Sequence, residues 1–154
     1  MSCKLKSLVN SFKYAFSGIR HCMRCERNFR IHVVAAAYVM LLAALLQLDR
    51  MRFAVLLLTI ANVLVMEMLN TAIETLVDLA SPQQHPLAKI AKDVAAGAVL
   101  VSAATSVGVG FWLLWQPDKL VVIAEKLLDT PSAFISVIIS LLFALWIVFG
   151  TKEK

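Results

Sequence analysis

Glu67-Met-Leu-Asn70-Thr-Ala-Ile-Glu74-Thr-Leu-Val-Asp78 closes an apolar run that begins at Phe53. An α-helix turns about 100° per residue, so Glu67, Asn70, Glu74 and Asp78 fall on one stripe of a single helix. Ionisable groups in a membrane segment are expensive and are kept where they do chemistry, so the stripe reads as a functional site at a membrane surface.

Working outward, the second spanning helix covers about residues 53–79 and stops at Ser81-Pro82, where proline cannot continue it. A short polar connector, Gln83-Gln84-His85-Pro86, leads to a helix carrying Lys89, Lys92 and Asp93. That helix becomes a third span over about 94–115, rich in alanine, glycine and serine, which let helices approach closely in lipid. A first span is predicted over about 32–48, with Gln47, Asp49, Arg50 and Arg52 at its far end. Before it, Leu5, Leu8, Val9, Phe12, Phe16 and Ile19 recur at helical spacing among lysines and an arginine. This is the pattern of an amphipathic helix lying in the interface, loosened near Gly18. Residues 116–131 read as a mixed-charge linker with a short amphipathic helix about 120–128, and 132–150 as a fourth span without ionisable groups. The expected fold is an all-α membrane protein. It has a core over 1–115 with an interfacial helix and three spans, a linker over 116–131, and a C-terminal transmembrane helix and tail over 132–154.

Composition agrees. Of 154 residues, 60% are hydrophobic and 16% charged, and mean hydropathy is +0.81, too little polar surface for a soluble bundle. Seven of the 15 Lys and Arg residues precede His32, and the net charge is +5. Anionic lipid and the positive-inside bias account for that cluster more simply than a nucleic-acid arm does. With the N-terminus inside, eleven basic residues lie on the inner side and four on the outer, which puts both termini in the cytoplasm. No compact apolar segment with a small-residue cleavage site opens the chain, so targeting is expected from the first span. Cys22-Met-Arg-Cys25 has metal-ligand spacing but no second pair to complete a zinc site, and reduced thiols are expected.

In that orientation the second span runs from outside to inside. Glu67, 14 residues past Phe53, lies about 21 Å deep, and Glu74 two turns closer to the cytosol. The stripe thus joins the inner leaflet to the water where nucleotide is found. Phosphoryl transfer to a lipid alcohol needs groups to hold the reactants, neutralise phosphate charge and accept a hydroxyl proton. Glu26 and Glu74, at one depth, offer hard oxygens for magnesium. Glu67, deeper and drier, suits a general base, with Asn70 orienting the hydroxyl or that carboxylate. Lys92 suits phosphate, and Asp93 adenine or ribose.

These residues sit in blocks that resemble the small prokaryotic diacylglycerol kinase family, which includes undecaprenol kinases. The blocks are Lys13-Tyr-Ala-Phe-Ser-Gly-Ile-Arg20, Glu26-Arg-Asn-Phe-Arg-Ile-His32 and Glu67-Met-Leu-Asn-Thr-Ala-Ile-Glu74, followed by His85-Pro-Leu-Ala-Lys-Ile-Ala-Lys92-Asp93-Val-Ala-Ala-Gly97. The resemblance covers roughly residues 5–115. It implies an integral membrane kinase that uses ATP and magnesium and works as a homotrimer with shared sites. It also implies Glu67 as the base, Asn70 beside it in the lipid site, Glu26 and Glu74 as metal ligands, and Tyr14, Gln84, His85, Lys92 and Asp93 as nucleotide contacts. Ser7 stands where some relatives have an arginine, and the fourth span exceeds the usual three. The wording of the blocks leans toward the Gram-positive type, whose members often act on undecaprenol.

Two other classes fit the spans less well. Small four-span drug exporters carry their glutamate in the first span, which here has none. A passive membrane scaffold, its stripe an interhelical hydrogen-bond seam, would tolerate changes at Glu26, Glu74 and Lys92.

Overall fold

The computed structural model describes residues 3–81 and 85–150, with side chains from residue 7 onward. The described residues form helices alone: α1 Cys3–Cys25, α2 Arg27–Leu45, α3 Arg50–Ala80, α4 Pro86–Leu114, α5 Pro117–Asp129 and α6 Pro131–Phe149. α2, α3, α4 and α6 are long and apolar enough to cross a membrane. The chain is an all-α membrane protein, as its periodicity predicts.

Helix ends follow from local chemistry. Asp49 starts α3 by accepting from the backbone N–H groups of Met51 and Arg52. His85 starts α4, its Nδ1 accepting from Leu87 N, with Pro86 in the first turn where its missing N–H has no cost. α2 ends earlier than the 32–48 reading. Gln47 turns left-handed at φ 52°. The amides of Gln47 and Leu48 bond back to the carbonyls of Ala44 and Ala43, closing the helix as a Schellman motif with glutamine in the usual glycine place. α1 runs unbroken through Gly18, because one glycine in a long amphipathic helix lowers its propensity without ending it.

Length positions the polar stripe. α3 has 31 residues and α4 has 29, so each is well over the ~30 Å hydrocarbon thickness at about 1.5 Å per residue. Asn62 Nδ2 donates to Ser102 Oγ (2.7 Å) across the pair's packed seam.

α2 packs on α3 and, on another side, on α6. Tyr38 donates to Ser140 Oγ (3.0 Å), and Arg30 donates through Nε and Nη2 to the Val148 carbonyl (3.2 and 3.1 Å). Each step forward along α2 matches an equal step back along α6, so the two are antiparallel and the C-terminal end of α6 lies beside the start of α2. At the opposite end, Lys119 of α5 donates to the Leu46 carbonyl that finishes α2 (2.8 Å).

Candidate active site

The site is built where α1, α2 and α3 meet. Glu26 is the residue between α1 and α2. Its backbone is extended and it starts α2, yet its carboxylate makes no capping bond. Phe29 and Arg30 just after it are buried and fix the start of α2. Cys22, near the end of α1, is buried, with Thr71 of α3 beside it. Burial pushes the Cys22 thiol pKa up; the neighbouring Thr71 hydroxyl draws it partly back, and the nearby Glu26 charge pushes it further up.

Glu67 is 4% exposed, the most buried carboxylate in the spanning helices. Its Oε1 lies 3.1 Å from His32 Nε2, one helix away. Because α2 and α3 are antiparallel, going back six residues from His32 reaches Glu26 and going on seven from Glu67 reaches Glu74. The two glutamates therefore stand at one level, and the charges of both reach Glu67. Asn70, one turn from Glu67, donates from Nδ2 to Glu74 Oε1 (2.8 Å). Its Oδ1 is buried and accepts no hydrogen bond from the protein. The expected stripe is thus a ladder from a dry carboxylate, through a half-satisfied amide, to a half-buried carboxylate at the headgroup end.

The remaining expected residues are spread around this ladder. The Lys92 ammonium is paired with the carboxylate of Asp78, bridging α4 to α3. Asp93, next to it, is exposed. Tyr14 is 72% exposed on α1. His85 is exposed, serves as the α4 cap, and borders a shallow apolar hollow shared with Val77, Ala80, Ser81, Leu87 and Ala88. Gln84 lies outside the described residues. Among the described residues no three His, Cys, Asp or Glu side chains gather as a ready-made metal cage. Cys25 Sγ faces His21 Nδ1 at 3.7 Å within α1, while Cys22 faces α3, so the two thiols have different partners.

Sequence reasoning missed two residues. His32 stood at the edge of the predicted first span and read as a boundary residue; only the pairing of α2 with α3 puts it on Glu67. Arg30 read as one more interfacial charge, yet it is 1% exposed and spends its guanidinium on the Val148 and Arg24 carbonyls.

Comparison with known proteins identifies the family. The family model described as prokaryotic diacylglycerol kinase matches residues 13–114. A diacylglycerol kinase of Synechocystis sp. is 48% identical over 112 residues, 72% of this chain and 64% of that protein. The chain thus spans under two thirds of that relative's length. An undecaprenol kinase of Bacillus subtilis is 43% identical over 114 residues, 74% of this chain and 92% of that protein. A diacylglycerol kinase of Escherichia coli (strain K12) is 31% identical over 109 residues, covering 71% and 89%. The family match runs from α1 to the end of α4 and contains the ladder from Glu67 to Glu74, and on it the chain belongs to the prokaryotic diacylglycerol kinase family.

Proposed function

We propose that this protein transfers the γ-phosphoryl group of ATP to the hydroxyl of a membrane lipid alcohol at the cytoplasmic face of the plasma membrane. The observation that carries the reading is the ladder itself: a buried carboxylate in a spanning helix, continued by Asn70 and Glu74 toward the headgroups. Undecaprenol is favoured over diacylglycerol. The Bacillus undecaprenol kinase is matched along 92% of its length at 43% identity, whereas the diacylglycerol kinases are matched either over a shorter share or at lower identity.

Glu67 takes the proton as the lipid O–H bond breaks. The freed electron pair attacks the γ-phosphorus, and the bridging P–O bond breaks to release ADP. Little covalent work falls to the protein; positioning and charge do most of it. Asn70 holds Glu74 with its N–H, which leaves its buried Oδ1 as a spare acceptor in the site. Glu26 and Glu74, the latter with the spare amide oxygen on its neighbour Asn70, would hold magnesium, which takes one or two carboxylates and completes its shell with phosphate and water. When bound there, Mg2+ supplies positive charge against the β- and γ-phosphates. Tyr14, Gln84, His85, Lys92 and Asp93 are assigned to the nucleotide. Lys92 reaches phosphate by exchanging its partner Asp78 for it.

Both termini are assigned to the cytoplasm by the basic-residue asymmetry, and the working unit is a homotrimer with sites shared between subunits. The kinase core is 1–115; the segment 116–131 and the helix after it are an addition braced against α2.

The test supplies purified protein in lipid with labelled ATP, magnesium, and undecaprenol or diacylglycerol in parallel. Labelled undecaprenyl phosphate is expected. Label in phosphatidate alone reassigns the lipid, and no labelled lipid with either alcohol overturns the kinase reading.

A further inference from the structure

We infer that His32 is a positioning residue for the phosphoryl transfer: its Nε2–H holds Oε1 of Glu67 and so aims the other carboxylate oxygen at the lipid hydroxyl. The inference rests on the reading of Glu67 as the base and goes beyond it by assigning a residue to a different helix.

Three observations carry it. First, the contact is direct, Nε2 to Oε1 at 3.1 Å. Second, the two partners differ in exposure. The Glu67 side chain is 5% exposed and that of His32 27%, so the histidine forms the wetter wall of a dry site. A buried carboxylate without a donor bears the full desolvation of its charge, and this bond offsets part of that burden. Third, the other groups whose charges reach Glu67, namely Glu26 and Glu74, are acidic and bring no donor. Asn70 has already given an N–H to Glu74. His32 is thus the side chain from a neighbouring helix that supplies Glu67 with a hydrogen-bond donor among the described residues. A carboxylate held by one oxygen has its second oxygen fixed in direction. Fixing the acceptor matters because misplacing a reacting group by about 1 Å can lower the rate ~100-fold. The neutral imidazole with its proton on Nε2 suffices for this role, so no net proton movement through the ring is required.

The side-chain lengths of the two amides provide the test. Gln reaches as far as Nε2 of histidine and carries an N–H there; Asn reaches only as far as Nδ1. Steady-state kinetics of His32→Leu, His32→Asn and His32→Gln are measured with the full chain in lipid, varying the lipid alcohol and ATP separately. In His32→Leu and His32→Asn, kcat is expected to fall about tenfold or more with KM for ATP unchanged, since only the base is misaimed. His32→Gln is expected to stay within about threefold of the parent, because its amide replaces the donor. Comparing Asn with Gln, one methylene apart, removes any doubt from a poorly folding leucine variant. Equal kcat in Asn and Gln variants overturns the inference, as does a His32→Leu protein with parental kcat. Neither result touches the kinase reading, which fails only if the parent protein labels no lipid. Full activity in Glu67→Gln removes the base assignment and this inference together.

Discussion

The polar residues of the stripe were legible because chemistry and period coincide: carboxylates are costly in hydrocarbon, and spacing of three and four keeps them together. Their partners were not legible. That His32 belongs to Glu67, and Cys22 to Thr71, depends on how α1 and α2 lie against α3, which no local pattern encodes. Cys22 shows what such a hidden pairing does. Its thiol holds its proton more tightly in the folded protein, mainly through burial, than at the ordinary value of 9.0. At alkaline pH the unfolded chain gives up that proton first and so binds fewer protons than the native state. Stability then falls as pH rises, a contribution absent below the ordinary thiol value and growing above it. Thermal unfolding between pH 8 and 10 is expected to show a downward slope that is shallower in Cys22→Ala, even though the alanine protein starts less stable from its cavity. Parallel slopes in the two proteins would mean that the buried thiol has no part in it.

At the scale of helices, the predicted elements and their order match the structure, and the differences lie at ends. Gln47 closes α2 before residue 48, and α4 begins at Pro86 and continues to Leu114 without a break between its charged start and its apolar body. The sequence could not show where the fourth span goes, since its apolar surface fits any neighbour. The structure puts α6 antiparallel to α2, tied to it by Arg30 at one end, while at the other end the preceding helix α5 is tied to α2 by Lys119. Arg30 meets the Val148 carbonyl at the C-terminal end of α6, and Lys119 the Leu46 carbonyl at the C-terminal end of α2. Carbonyls in a last helical turn lack partners in their own helix and carry partial negative charge, which is where cations stabilise most. Arg30→Ala is therefore expected to destabilise the protein by about 2–3 kcal/mol, the scale of charge-assisted bonds lost from a buried group. Tyr38→Phe and Ser140→Ala, which remove the neutral bond midway, are each expected to cost about 0.6 kcal/mol in lipid. Their effects overlap when combined because they delete one interaction. Unfolding in graded denaturing detergent measures all four proteins. A full sum in the Tyr38–Ser140 double variant would show that the Tyr38–Ser140 bond between α2 and α6 is absent in the membrane.

For the whole molecule, the question is how exposed residues can belong to a site whose base is buried. Glu67 faces His32 inside its own chain. Lys92 is turned to Asp78 on the same chain, and the next residue on a helix points about 100° away, so Asp93 is directed off the α3–α4 seam. It is exposed there. Along the same helix, a Cβ placed on Gly97, Gly108 or Gly110 meets nothing within 4 Å, so these notches are not filled by the chain's own packing. Small residues facing outward in a spanning helix let another helix approach closely. Both features are accounted for if α4 lies against a neighbouring subunit and its Asp93 serves the neighbour's nucleotide, the arrangement expected of a homotrimer with shared sites. Complementation tests this directly. Glu67→Gln and Asp93→Asn are each expected to be nearly inactive as pure assemblies. Co-assembled, a Glu67→Gln subunit still has a sound Asp93 to lend to the intact Glu67 of its neighbour, so one complete site is restored at such a junction. Lipid phosphorylation is therefore expected to rise well above either pure protein when the two are unfolded and reassembled together, and to stay at background when they are mixed after assembly. If both mixtures remain at background, each site draws Glu67 and Asp93 from a single chain, and the shared-site arrangement is wrong for this protein.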